Sequence, residues 1–314
     1  MTVAREPRRE LGCLEVEFLD GTDARFLGDD RVGVALPVRW LEGDRSECLC
    51  DHVSPAGAGH GFRLYAAQGL LIGCTLQPLG GGLEDTALGI YRRLIRAAQG
   101  RRLYRIWNYV PAINRVTAGL ENYRAFNAGR SRAFEEAFGA DSNGLLPAAP
   151  AVGCAGETVA TIFMAGDQEP RHCENPDQVP SYSYPSEHGP RPPSFSRATV
   201  IGEGALKRIF ISGTSAIKGH STVAAGSTAE QIACTVHNLR LISREAGAGD
   251  DLGGAMHMAR RFKVYLRHPS DLPLSRQILG ASLFRPDDRI AWVQADLCRE
   301  ALNVEVEATL SAAQ

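Results

Sequence analysis

The sequence predicts an α+β fold built from a duplicated unit, with helices laid on one face of a mixed β-sheet. Two observations carry this expectation. Helical and strand periodicities follow one another in the same order (helix, strand, helix, strand) in both halves, with similar segment lengths and little residue identity. A proline-rich stretch with almost no aliphatic residue separates the halves. The expected division is an N-terminal half over 1–166 with extra leading strands, a connecting loop over 167–199 and a C-terminal half over 200–314.

Each element has its own signal. The first eighty residues read as short strands broken by glycine and proline, among them LEVEF (14–18), VGVALPV (32–38) and the stretch GLLIGCTLQPLGGG (69–82). From Glu84 the spacing turns helical: Leu88, Tyr91, Leu94, Ile95 and Ala98 share a face, and Gly100 is a stop. RLYRIWNYV (102–110) predicts a strand ended by Pro111. Residues 119–138 predict a second helix, with Leu120, Tyr123, Phe126, Asn127, Arg130, Phe134 and Phe138 along one side. TVATIFMAG (158–166) predicts a strand. In the second half, strands are expected at 208–213, 261–267, 289–297 and 303–310, and helices at 228–246 and 271–284.

Composition narrows the function classes. The chain has 314 residues, is 44% hydrophobic and 22% charged, and balances 34 Lys+Arg against 36 Asp+Glu. A net charge of −2 argues against a broad basic field for nucleic acid. There is no apolar run of membrane-spanning length, and the N-terminal MTVAREPRRELGCLEVEFLDG lacks the apolar core of a secretory leader, so a soluble, cytoplasmic protein is expected. The eight cysteines are therefore expected to be mostly small buried hydrophobes rather than disulfide partners.

Phosphate-loop, dinucleotide-binding and nucleophile-elbow motifs are absent, and no His/Cys spacing suggests a metal. Chemistry is thus expected to run without cofactor or metal, on carboxylates, arginines and tyrosines. Three features stand out. On the 119–138 helix, Tyr123, Asn127 and Arg130 share a face with apolar neighbours, which suits either a structural ion pair or a carboxylate clamp. In the terminal V-E-V-E-A strand, Glu305 and Glu307 share one face, and solvent is the expected surrounding of such a face. In RIFISGTSAI (208–217), the small residues Ser212, Gly213, Thr214 and Ser215 leave room for a ligand. The loop 181–199 reads either as a surface linker or as an ordered, proline-stiffened loop presenting Tyr182, Tyr184, Arg191 and Arg197 to a pocket; its aromatics favour order.

Five segments resemble the chorismatase family: RIWNYVPAIN (105–114), GLENYRAFNAGRSRAF (119–134), GPRPPSFSRA (189–198), SGTSAIKGH (212–220) and WVQADLCREALNVEVEA (292–308). They run in family order from about residue 100 to the end. The second-half pattern also resembles the Rid/YjgF fold, through F-I-S-G and V-E-V-E-A. The resemblance implies two Rid/YjgF-like units and cleavage of chorismate to 3-hydroxybenzoate and pyruvate without metal or organic cofactor. It places the catalytic acid on Glu305. It gives Cys298, seven residues earlier, a product-determining role of the 3-hydroxybenzoate-forming type, with a second such position near Ser212. Candidate substrate-binding residues are Arg130 and Arg267, with Arg197 and Arg124 as substitutes, together with Tyr123, Tyr182, Tyr184, Ser212, Gly213, Thr214 and Gln294. Hydrolysis to a dihydroxycyclohexadiene carboxylate, a mixture of 3- and 4-hydroxybenzoate, a Rid-like imine deaminase and an inactive binder are the alternatives. The implied partner is chorismate, with neither nucleic acid nor membrane, in a monomer or a trimer.

Overall fold

The structure, a computed structural model, describes residues 12–28, 31–139 and 142–312. The leader reading therefore falls largely on residues 1–11, outside the described ones. Two mixed sheets lie face to face and carry helices on their outer sides. In spatial order the first contains Ser54–Gly59, Phe62–Ala67, Leu70–Pro78, Thr158–Gly166, Arg102–Pro111 and Ala151–Cys154. The second contains Arg171–Cys173, Ala198–Ile201, Arg208–Ser215, Val304–Ser311, Ala259–Leu266 and Arg289–Gln294, and then Arg39–Gly43 from the N-terminal region. The first six strands repeat one plan. Pairing is antiparallel throughout except at the sixth strand, which runs parallel to the fifth in both sheets.

The helices follow the same repeat. Helix α1 (Leu83–Ala97) and helix α2 (Asn122–Phe138) cover the first sheet, while α3 (Thr228–Glu245) and α4 (Leu272–Ser282) cover the second. Each parallel pair needs a crossover, and α2 and α4 supply it. Helices α1 and α2 pack closely because Gly129 has no side chain: a Cβ there would lie 2.1 Å from the Glu84 carbonyl oxygen. A central apolar layer fills the space between the sheets. Strands Leu14–Phe18, Val32–Leu36 and Ser46–Cys50 of a third, four-stranded sheet close it. The expected α+β class, with helices on one face of each mixed sheet, is the one observed.

Several local expectations change. Helix α2 begins at Asn122, not 119, because Leu120–Glu121 pairs with Val116–Thr117 in a hairpin. Residues 39–43, with no strong strand signal, form the last strand of the second sheet. Cys13 and Cys48 are joined by a disulfide, against the expectation of isolated thiols: the pairing of Leu14–Phe18 with Ser46–Cys50 brings them together across a 35-residue separation. The proline-rich loop is ordered. Its Ser181 hydroxyl lies 3.1 and 2.7 Å from the carbonyl oxygens of Pro193 and Phe195, which folds the segment back on itself. Among the described residues, no helix is long and apolar enough to cross a membrane.

The terminal strand fixes the site. Val304, Val306, Ala308 and Leu310 face the helix layer, so strand alternation turns Glu305 and Glu307 toward the opposite sheet. Both are only 3% exposed, which corrects the expectation of a solvent-facing pair.

Candidate active site

Two buried carboxylates on one strand cannot both remain ionised without compensation. Glu307 has it. Its carboxylate lies 2.5 Å from Lys263 Nζ and 3.1 Å from Arg105 Nη2, and it accepts a hydrogen bond from Trp107 Nε1 at 3.1 Å. Burial works to raise it, but the Lys263 ammonium and then the Arg105 guanidinium outweigh burial and hold it below the ordinary carboxylate range. Glu47 also meets Lys263, at 2.6 Å, so one lysine is shared by two acids.

Among the described residues, Glu305 has no such ion pair. It faces Ser215 Oγ at 3.3 Å and Cys298 Sγ at 3.9 Å, both neutral donors. Burial, followed by repulsion from Glu307, pushes its carboxyl up to about 7. Burial, then Glu305 itself, likewise raises the Cys298 thiol to about 12. The result is a buried acid that can hold its proton near neutral pH, the arrangement a general acid requires. A bulge in Arg208–Ser215 shapes the space in front of it, where Ser212 and Gly213 together oppose the single residue Glu307. Gly213 sits in the bulge, and a Cβ there would lie 1.9 Å from Glu305 Oε1.

This acid opens into a cavity of about 590 Å³ between the halves. The hairpin residue Glu121 and Tyr123 of α2 form one wall. Arg197, Ser212, Gly213, Ser215, Cys298 and Arg299 form the other. Arg197 donates to the Tyr184 hydroxyl at 2.8 Å and lies 5.1 Å over the Phe195 ring. Arg299 stands 5.4 Å over the Tyr184 ring and donates to Thr222. Arg124, from the first turn of α2, completes a set of three guanidinium groups on one cavity. The Ser212 hydroxyl is buried, without a hydrogen-bond partner among the described residues, and lines the same space. Burial raises the Tyr123 hydroxyl, keeping it a neutral donor.

The cavity brings together Glu305, Cys298, Tyr123, Tyr184, Arg197, Ser212 and Gly213 of the expected residues. Five others lie off it. Arg267 is consumed structurally, donating to Asp296 at 2.7 Å, Asn114 at 3.1 Å and the carbonyls of Leu302 and Arg299. Arg130 is fully buried behind the wall, where it donates to Asn127 Oδ1 at 2.7 Å and sits between the Phe126 and Phe195 rings. Gln294 bonds Arg39 and the Arg267 carbonyl at the sheet edge. Tyr182 packs against the α1–α2 core, and Thr214 turns its hydroxyl to the Ser212 carbonyl. Sequence reasoning missed Arg299 as a site residue, and it marked Ser215 only as a small residue leaving room for a ligand, not as a partner of Glu305. The alternation that selects Glu305 gives no hint of Ser215, which reaches it only through strand pairing across 90 residues.

Against this geometry the comparisons are specific. A family model described as chorismatase FkbO/Hyg5-like, N-terminal, matches residues 51–165. A 3-hydroxybenzoate synthase of Streptomyces hygroscopicus is 34% identical over 271 residues, covering 81% of this chain and 79% of the relative. A chorismatase crystal structure superposes with a TM-score of 0.84 at 28% identity, covering 99% of this chain and 96% of that one. RidA from an Antarctic Psychrobacter aligns with 45% of the chain at 20% identity and a TM-score of 0.34. The curated relative and the solved structure each match more than three quarters of both chains, and the chain belongs to the chorismatase family.

Proposed function

We propose that the protein cleaves chorismate to 3-hydroxybenzoate and pyruvate, with Glu305 as the general acid. The observation that carries this reading is a carboxyl held near pH 7 by burial, on a cavity lined by Arg124, Arg197 and Arg299. Chorismate is a dianion, and guanidinium groups on one cavity suit its two carboxylates. Arg197 and Arg299, flanking Tyr184, take the carboxylate roles first expected of Arg130 and Arg267.

In the reaction, Glu305 gives its proton to the terminal methylene of the enolpyruvyl ether, and an oxocarbenium-like centre forms. The carboxylate left behind stabilises that charge. The ring hydroxyl then attacks the ring carbon bearing the ether, its proton passing to the Glu305 carboxylate, while the C–O bond breaks and pyruvate leaves. Loss of a ring proton and opening of the arene-oxide-like intermediate give 3-hydroxybenzoate, with no water consumed. Neutral Cys298 and Ser215 occupy the space beside Glu305 that an attacking water would need. The division into halves 1–166 and 200–314 joined by 167–199 is part of this proposal; the repeated strand order supports it, although Arg39–Gly43 crosses into the second sheet.

The test is product analysis. Incubation with chorismate, followed by liquid chromatography and pyruvate detection, is expected to give equimolar pyruvate and 3-hydroxybenzoate. Pyruvate with the diene diol would replace the internal attack by hydrolysis. No pyruvate above the spontaneous background would overturn the reading.

A further inference from the structure

The sequence suggests no metal site, since its histidines show no ligand spacing, yet the fold brings two histidines and a glutamate together at the cavity mouth. Glu187 and His188 end a short 3-10 turn of the proline-rich loop, and His220 sits on the turn of the Ile217–Thr222 hairpin. Backbone bonds clamp the two segments together: Val179 N donates to the Gly219 carbonyl at 3.0 Å, and Gly219 N donates to the Asp177 carbonyl at 2.8 Å. Across this junction His188 Nε2 lies 3.0 Å from His220 Nδ1, and Glu187 Oε1 lies 3.4 Å from each.

That triangle has the dimensions of one face of a coordination tetrahedron. Zinc bonds of about 2.0–2.1 Å to nitrogen and oxygen set neighbouring donor atoms roughly 3.3 Å apart. All three edges, at 3.0, 3.4 and 3.4 Å, fall close to that value. Two imidazoles and a carboxylate are also the donor set of open three-ligand zinc sites, which leave a fourth position for water or an oxygen anion. We propose that Glu187, His188 and His220 bind one zinc-type divalent cation at the mouth of the cavity, tying the proline-rich loop to the hairpin. The reading is independent of the cleavage chemistry assigned to Glu305. His188 also lines the cavity, so the ion sits where substrate passes.

Calorimetric titration of the purified protein with zinc chloride tests this, with cobalt(II) absorption as the geometric readout. One ion per chain is expected, with the visible bands of four-coordinate cobalt. His220→Ala, at a part-exposed turn position, is expected to weaken binding roughly tenfold or more, as is Glu187→Gln on an exposed side chain. Absence of saturable binding, or binding unchanged in both variants, would overturn the site and leave the histidines as a hydrogen-bonded imidazole pair.

Discussion

Glu305 and Glu307 carry the same side chain, lie two residues apart and share a buried face, yet their neighbours drive them in opposite directions. Lys263 and Arg105 keep Glu307 charged; Glu305 faces the neutral donors Ser215 and Cys298 and the Glu307 charge, with Arg105 only partly offsetting burial and repulsion. A general acid works in its protonated form, so activity is expected to hold below about pH 7 and to fall tenfold per pH unit above it, as Glu305 loses its proton. A pH profile of kcat/KM checks this; a flat profile from 6 to 9 would contradict it. Cys298 gives a second expectation at this scale. Cys298→Ala leaves space for a water beside Glu305, so the diene diol is expected to rise at the expense of 3-hydroxybenzoate, measured by chromatography, and an unchanged ratio returns Cys298 to packing. The V-E-V-E alternation made Glu305 and Glu307 legible as a pair, and resemblance chose between them. Their burial was not legible, because the sheet that covers them is built from residues some 200 positions earlier.

Long periodic segments were the readable elements. The strand at 158–166 and the helix from residue 228 fall where the spacing put them, since each has one continuous apolar face against a core. Short strands such as Arg39–Gly43 owe their state to a partner strand rather than to their own pattern, and were not delimited. Arg130 and Arg267 lie off the cavity for a related reason. Arg130 and Arg267 were chosen for position on an element, but hydrogen-bond partners from distant segments decide where their side chains are used. The bulged strand Arg208–Ser215 carries the prediction at this scale. Gly213→Ala places a Cβ against the Glu305 carboxyl, and a displacement of about 1 Å costs roughly a hundredfold in rate. The expected outcome is that loss in kcat with a native circular-dichroism spectrum; near-normal kcat would show that Glu305 does not need its present position.

Across the whole molecule, a buried charge network crosses from one sheet to the other. Arg105, on the first sheet, bonds the Ile211 carbonyl at 2.9 Å and pairs with Glu307 on the second, and Lys263 reaches the Tyr109 hydroxyl at 3.3 Å. Removing one partner from such a network strands the others in a low-dielectric interior, so Arg105→Met is expected to lower stability by about 3–5 kcal/mol. Urea unfolding measures this, and a change below about 1 kcal/mol would mean that the halves are held by the apolar layer alone. The duplicated plan was visible in the repeated order of elements. The stacking of the halves, and hence the cavity between them, was not, because no periodicity within one half encodes which face meets the other. The most direct test of the account is pyruvate release by Glu305→Gln, with chorismate binding followed by calorimetry. The account predicts binding close to wild type and turnover reduced by at least about a hundredfold, the lower end of the usual range for general acid–base catalysis. Turnover near wild type with intact binding would contradict the assignment of Glu305 as the acid.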